Sequence, residues 1–454
     1  MASRRDQLQS HQFLTQRVIS ALVMRETDPA QSPLRRGIGA VFAGIMITVM
    51  LAAGFGVYGL LTKNGGSSWQ TNGSVVIEKE TGAAFVFQDG ELHPMLNYAS
   101  ALLVTGAAPR TVYREAASAL SAVPRGVMLG IPNAPGALPD ASQAVGAPWT
   151  LCSAASTTAL DIAAAPAGST PLGERGLLVS DPTGDTAYLI WHGSRYAVAE
   201  SVLPALFGAV TPATVGTAWL NSIPQGPDIA PITVPGDGSP SPAAPKYDTG
   251  MILSTQIGTG GMQYWMVVAD GLAPITELQK DVAISHGAPG PTTISSVDAT
   301  AIHRATLPGQ ATAAALPSHP PSLADPSKGA CARFSGGGAP VMSIGGASLP
   351  AGTPTGSRTP DGTVLADRVA VPPGHIAIVR VLASASSPTS GYYLVTDLGI
   401  RYAVASDDVL KMLGYQPTDA TGMPAGLVQL IPAGPALDPA AAAQPVAAGG
   451  SGGN

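Results

Sequence analysis

The chain has 454 residues with 23 basic and 29 acidic side chains, so 11% of it is charged where soluble domains carry about 25%. A net charge of -6 excludes a generally basic nucleic-acid binder, while 54 Gly and 42 Pro stay just short of the ~25% combined share that marks wholly disordered sequence. With 45% apolar residues, the length suits about three domains of ordered, turn-rich structure.

Charge is unevenly spread along the chain. Residues 1–62 hold six arginines (Arg4, Arg5, Arg17, Arg25, Arg35, Arg36) against three acids (Asp6, Glu26, Asp28), which leaves 17 basic and 26 acidic residues for the rest. Within residues 1–36, Leu8, Phe13, Leu14, Val18 and Leu22 recur at roughly helical spacing, predicting an amphipathic helix from Arg5 to Glu26 that Pro29 and Pro33 break. Its apolar face needs a cover. The arginines favour a membrane surface, but the mixed charge favours a cytoplasmic protein partner.

Gly37 to Thr62 is an uncharged run of 26 residues, and its apolar core from Ile38 to Leu61 makes about 36 Å of helix, enough to cross a ~30 Å hydrocarbon layer. The run is longer than the apolar stretch of a signal peptide and no small-x-small cleavage pattern follows it, so it is expected to stay as an anchor. Arg35 and Arg36 before it, against Lys63 after it, predict a cytoplasmic N-terminus, with everything beyond residue 62 outside the plasma membrane. Ala40, Gly44, Thr48, Ala52 and Gly56 form a small-residue ridge suited to close helix packing, although an Ala- and Gly-rich chain makes such stripes by chance as well. Residues 63–73 read as a Gly/Ser-rich linker, 74–438 as the extracytoplasmic region, and 439–454, which lack charge, as a disordered tail.

The outer region repeats itself. Tyr392–Thr396, the turn Asp397-Leu398-Gly399 and Ile400–Ala405 predict a hairpin, followed by a short helix Asp407–Leu413 closed by Gly414, a strand Leu427–Ile431 and a Pro-Gly stop. Ala187–Trp191, Arg195–Ala199, Leu203–Gly208 and Ile223–Pro227 follow the same order, and Arg-Tyr-Ala-Val-Ala is identical in the two copies. Weaker copies start near Phe85 and Tyr264, giving modules at about 82–139, 185–230, 262–285 and 390–438. Their uneven spacing argues against a solenoid or propeller. It predicts an α+β, β-rich region of four degenerate modules around a central β-core built from the intervening segments, such as Arg175–Asp181, Thr249–Ser254 and Val369–Leu382. Residues 235–245 and 311–324 read as long loops.

The two cysteines, Cys152 and Cys331, both fall outside the anchor, where an oxidising compartment makes a single structural disulfide the expectation. Catalytic motifs are sparse. No Gly-x4-Gly-Lys-Ser/Thr loop occurs, the seven His show no metal-binding spacing, and the Gly-x-Ser-x-Gly match at residues 449–453 lacks the strand and helix of a nucleophile elbow. No catalytic residue, cofactor or metal is expected. Arg195 with Tyr196 and Arg401 with Tyr402, repeated at one place in duplicated modules, are expected to build the module rather than meet a ligand. Trp191 and Trp265 are expected in the core, and Asp89, Asp270 and Asp397 at hairpin turns.

The stretch Arg4-Arg5-Asp6-Gln7-Leu8-Gln9-Ser10-His11-Gln12-Phe13, the run Arg17–Ala21, Pro33-Leu34-Arg35-Arg36 before a single span, the two outer cysteines and the four repeats resemble the EccB family, a membrane-anchored component of actinobacterial type VII (ESX-type) secretion systems. The resemblance covers almost the whole chain. It implies a structural subunit of an inner-membrane complex with EccC, EccD and EccE, forming homo-oligomers, whose modules are similar to cell-wall-binding repeats and would suit contact with peptidoglycan or a mycosin-type protease. It also brings an ATPase label that no motif in this sequence supports.

Overall fold

The computed structural model describes residues 3–25, 33–62, 67–106, 112–258, 260–309, 315–325, 327, 329–346, 352–382 and 391–446. Parts of the predicted linker (63–66), of the second long loop (311–314), of the last predicted module (390) and of the tail (447–454) lie outside these residues. The chain divides into two compact units, one of residues 1–70 with 115–122 and the other of residues 71–114 with 123–454.

The first unit is helical. Helix α1 (Arg4–Met24) starts where the Asp6 carboxylate accepts the Ser3 N–H at 3.0 Å, and ends at Arg25, which takes a left-handed conformation. Helix α2 (Pro33–Thr62) begins a turn before the predicted span, with Pro33 in the first turn, where a missing N–H costs nothing. Within it, Gly37–Gly59 is long and apolar enough to cross a membrane, with a mean hydropathy of 2.2 and no burial by the described residues.

In the second unit, four modules share one topology. Three antiparallel strands form a meander, a helix follows, and a fourth strand returns beside the first, so the strand order is third, second, first, fourth in every module. The meander strands are Ser74–Glu78, Ala84–Gln88 and Glu91–Pro94 in module 1; Leu177–Ser180, Ala187–Trp191 and Ser194–Val198 in module 2; Ile252–Ile257, Gly261–Val268 and Gly271–Ile275 in module 3; and Ile376–Leu382, Tyr392–Thr396 and Arg401–Val404 in module 4. The first helices are Tyr98–Thr105, Leu203–Phe207, Glu277–Ser285 and Asp407–Met412. Each module closes with an extended segment hydrogen-bonded in parallel to its third strand, through the pairs Leu92 with Arg125, Arg195 with Gln225, Leu272 with Arg304, and Arg401 with Ala433.

Several expectations need correction. The segments assigned to the central core, Arg175–Asp181, Thr249–Ser254 and most of Val369–Leu382, supply the modules' own first strands, so each module starts earlier than the repeat suggested. These strands are short and largely buried, two of them mostly apolar, and nothing in such a run distinguishes the first strand of a module from a separate core. The predicted strand Leu427–Ile431 is instead covered by a helix, Ala425–Gln429, and its C-terminal turn, because a five-residue apolar run fits either state. The tail is ordered through Val446. Pro439–Ala442 is helical, capped by Asp438 Oδ1, which accepts the Ala440 and Ala441 N–H groups, and Ala442 is wholly buried. An uncharged Ala-rich segment reads as disorder by composition, yet alanine is the strongest helix former and packs closely.

The central sheet has seven strands in the order Thr353–Pro354, Arg368–Ala370, Thr157–Ile162, Trp149–Ala154, Ala330–Phe334, Val341–Ile344, Thr170–Pro171. Its two middle strands are antiparallel and place Cys152 directly opposite Cys331, with a Cα separation of 4.0 Å and a formed disulfide. Trp149, Leu151, Leu160, Ile162 and Phe334 pack there with Val179, Ile190 and Trp219 of module 2 and with Val379, Val395 and Leu427 of module 4. Modules 1 and 3 stand one step further out. Leu102 and Leu103 of module 1 pack on Leu394, Tyr402 and Leu410 of module 4, while Leu278 and Val282 of module 3 pack on Leu189, Tyr196 and Val198 of module 2.

Candidate functional site

On α1, Leu8, Leu14, Val18 and Leu22 fall within an arc of about 120°, since each residue turns the helix by ~100°. Phe13 points well away from that arc, and the Arg17 guanidinium lies 5.9 Å from its ring. All five apolar side chains are at least 55% exposed, so the stripe has no cover among the described residues. On α2 the ridge Ala40, Gly44, Thr48, Ala52 and Gly56 drifts by ~40° per step, following a shallow helical path rather than a straight line. A side chain at Gly44 or Gly56 would meet nothing within 4 Å, and Thr48 Oγ1 donates to the Gly44 carbonyl at 2.8 Å, so the one polar atom on the ridge is satisfied inside the helix.

In the modules, the repeated Arg-Tyr pairs are part of the framework. Arg195 Nη1 donates to the Leu220 carbonyl at 3.0 Å and to Asn221 Oδ1 at 2.9 Å, and Arg401 Nε donates to the Ile431 carbonyl at 2.8 Å. Both thereby tie the third strand to the stretch just before the closing segment. Burial pulls the Arg195 pKa below its ordinary value, against an opposing effect of Tyr188.

An aromatic ring stands at one register position of the second strand in every module: Phe85, Tyr188, Trp265 and Tyr393. Each carries a guanidinium over its face. The distances to the ring centroid are 4.3 Å for Arg125, 5.7 Å for Arg195, 4.8 Å for Arg304 and 5.1 Å for Arg401. In modules 2 and 4 the arginine comes from the third strand, in modules 1 and 3 from the closing segment, and these are the two members of one hydrogen-bonded pair. Sequence comparison missed this because the arginine changes strand while its position in space stays the same.

Trp265 is buried, with Nε1 donating to Thr255 Oγ1 at 3.1 Å, as expected of a core residue. Trp191 is half-buried instead. It stacks on His192 with centroids 3.7 Å apart, and His192 Nε2 lies 3.1 Å from Glu174 Oε2. Asp89 and Asp397 are turn residues, Asp89 with positive φ and Asp397 Oδ2 accepting the Gly374 N–H at 2.9 Å.

Two clefts repeat the same location, beside the end of the third strand and the start of the first helix. One, of about 740 Å³, lies in module 1 among Ala84, Leu96, Tyr98, Arg114, Leu138 and Asp140; the other, of about 630 Å³, lies in module 2 among Asp185, Ala187, Glu200, Leu203, Asp228 and Ile229. Among the described residues no group of three or more His, Cys, Asp or Glu is gathered as a metal site.

Among the described residues one helix is fit to cross a membrane, and a disulfide-linked sheet flanked by four copies of one small module follows it in sequence, the features of a scaffold with a candidate anchor. The model of the family described as "Type VII secretion system ESX-1, transport TM domain B" matches residues 1–447, and the chain belongs to this family, EccB. It is 27% identical to the ESX-3 secretion system ATPase EccB3 of Mycolicibacterium smegmatis, over 95% of this chain and 89% of that protein. It is likewise 27% identical to the ESX-2 secretion system ATPase EccB2 of Mycobacterium tuberculosis, over 96% and 93%. Among solved structures it is similar to the EccB3 dimer from the ESX-3 core complex, with a TM-score of 0.64 at 25% identity over 82% of this chain and 99% of that one. A chain of the intact ESX-5 inner membrane complex shares the fold, with a TM-score of 0.64 at 24% identity over 99% and 96%.

Proposed function

We propose that this protein is a structural subunit of a type VII secretion membrane complex, anchored by α2 and assembling through its outer modules. The observation that carries this reading is the family match over residues 1–447, which takes in the anchor and the whole module array together. Residues 1–36 face the cytoplasm by the positive-inside rule, and the α1 stripe of Leu8, Leu14, Val18 and Leu22 docks a cytoplasmic partner. The partners are subunits of the EccC, EccD and EccE type, a second copy of the chain, and at the outer side a mycosin-type protease or peptidoglycan. Support for the second copy comes from the EccB3 dimer to which the fold is similar.

The test is co-purification from membranes, read on a native gel. The full chain is expected to migrate in a large complex containing the other subunits, and a chain lacking residues 1–30 to fall out of it; intact co-purification of the truncated chain overturns the docking role of α1. The relatives' names also carry the word ATPase. Turnover by the purified full chain, abolished by a single substitution, would make the enzyme reading the better one.

A further inference from the structure

The pairs Leu92 with Arg125, Arg195 with Gln225, Leu272 with Arg304 and Arg401 with Ala433 put the four modules in register, so each serves as a control for the others. Where module 1 has Leu96, Val127 and Met128, module 2 has Ala199, Pro227 and Asp228, and module 4 has Ala405, Pro435 and Ala436. Module 3 has Thr276, Thr306 and Leu307, and its Leu307 is buried in the module core. Large apolar side chains are exposed at these places in module 1 alone: Leu96 is 40% exposed, Val127 57% and Met128 45%. The three share one edge, where the Leu96 N–H donates to the carbonyl of Leu129, the residue after Met128.

Module 1 is also the module that follows the anchor in sequence. Residues 63–66 alone separate the end of α2 at Thr62 from Ser67, a stretch that reaches at most about 18 Å at ~3.5 Å per residue. Within the module, the pairs Ser74 with Phe87, Phe87 with Leu92 and Leu92 with Arg125 run level across the sheet. Val127 thus stands three strand spacings across and two residues along from Ser74, about 16 Å at ~4.8 Å per spacing and ~3.3 Å per residue. A bilayer crossed by α2 is a surface this short tether keeps within reach of the edge. The charges there offset one another, since Arg125 precedes Gly126 and the Glu91 carboxylate stands beside it, which leaves the apolar side chains to decide what the edge meets.

We infer that Leu96, Val127 and Met128 rest on the surface of the bilayer that α2 spans, a second lipid contact of the chain besides the span itself. The inference rests on the reading of α2 as a membrane anchor. Apolar side chains laid into the headgroup boundary lose their contact with water, which is the gain that draws amphipathic surfaces to membranes. A second copy of the chain is the poorer occupant, because three partly exposed side chains fall well short of the ~800 Å² per partner that a standard protein interface buries. A tethered contact needs no such area, since the anchor already supplies a high local concentration of lipid.

The test uses the full chain in phosphatidylcholine vesicles. Both native cysteines are held in the disulfide, so a single introduced cysteine can carry a nitrobenzoxadiazole label. On Val127→Cys or Met128→Cys the label should emit to the blue of its emission in water and be quenched by lipid spin-labelled near the headgroup. Ile257→Cys and Val297→Cys, at exposed apolar positions of module 3, should show neither effect. Val49→Cys, inside α2, should be quenched by lipid spin-labelled deep in its acyl chain; failure there counts against the anchor, whereas quenching there without quenching at 127 or 128 overturns the surface contact alone. A label on Leu96→Cys should lose its quenching once Val127→Asn and Met128→Asn are added. Quenching that persists means that the label itself seeks lipid, and a blue shift at 127 and 128 that survives in detergent but vanishes on dilution means that a second copy covers the edge; either result overturns the inference.

Discussion

Tyr196 and Tyr402 lay their rings against Gly226 and Gly434 of the closing segments, and a Cβ at either glycine would overlap the ring. Module 1 repeats the contact with His93 and Gly126, while module 3 has Ala273 facing the Ala305 segment, a small residue on each side. Size is thus exchanged across the contact. Gly434→Ala should cost about 1–3 kcal/mol by overpacking and Tyr402→Ala about 3–5 kcal/mol by leaving a cavity. The double variant, which reproduces the module 3 pair, should lose less than the sum, and a double-mutant cycle by denaturant unfolding measures this; simple additivity would refute the coupling. Asp367 offers a second residue-scale test. Burial acts to raise its pKa, but bonds from Ser357 Oγ, the Thr158 N–H and Thr158 Oγ1 outweigh burial and hold it below the ordinary carboxylate value. A carboxylate with a lowered folded pKa contributes stability that is present above its unfolded pKa of ~3.9 and is lost as pH falls through the folded value. Asp367→Asn should therefore lower the melting temperature at pH 7, with the gap from the parent closing as the pH drops below about 4.

Among the elements, the anchor and the cysteine pair were the most legible in sequence, because a long uncharged run and two lone cysteines each have few physical explanations. The module boundaries were less so. A hairpin with an Asp-Gly or His-Gly turn announces itself through turn residues, as at Gly90 and Gly193, but Leu177–Ser180 and Ile376–Leu382 are bare apolar runs whose partner strands cannot be read from them. The module 2 cleft was invisible for a related reason: Asp185, Glu200 and Asp228 lie far apart in sequence and come together when the meander, first helix and closing segment meet. Two element-scale outcomes follow. The Cys152–Cys331 bridge closes a loop of 179 residues, so Cys152→Ala with Cys331→Ala should cost up to about 5 kcal/mol, visible as a lower unfolding midpoint. For α2, Gly44→Leu with Gly56→Leu should reduce self-association of the span in a membrane reporter assay, since both positions are open on the ridge; unchanged association would assign the stripe to composition.

At the scale of the whole second unit, the chain reads as two successive half-chains. Modules 1 and 2 flank the hairpin Trp149–Ile162, and modules 3 and 4 flank the hairpin Ala330–Ile344, in the same order. Modules 1 and 3 share the arginine on the closing segment, and modules 2 and 4 share the arginine on the third strand. The packing crosses over: module 1 of the first half stands on module 4 of the second, and module 3 of the second stands on module 2 of the first. The linking segments cross in the same sense, Ala144–Val145 pairing with Ile376–Ala377 and Leu323 bridging to Gly176. The halves are therefore exchanged on one chain, as in a swapped dimer, with the disulfide joining their central hairpins.

This exchange leaves the two outer modules held differently. Module 3 continues directly from module 2 in sequence, with Ile232 packing at their shared core. Module 1 meets module 4 across most of the chain length, and at that junction the C-terminal strap takes the place of a connecting segment. Leu437 bonds the third strand of module 4, Ala442 is buried in the shared core, and the Val446 N–H reaches the Met128 carbonyl of module 1 at 2.9 Å, with Gly130 N–H donating to the Gln444 carbonyl at 3.3 Å. Removing residues 438–454 should therefore loosen module 1 selectively. Hydrogen exchange is expected to speed up in Tyr98–Thr105, whose buried face the strap covers, while Glu277–Ser285 and the strands around Cys152 and Cys331 keep their protection. Exchange that rises evenly over all four modules would mean that the strap supports the fold as a whole, and unchanged exchange at Tyr98–Thr105 would mean that the module faces alone hold the junction.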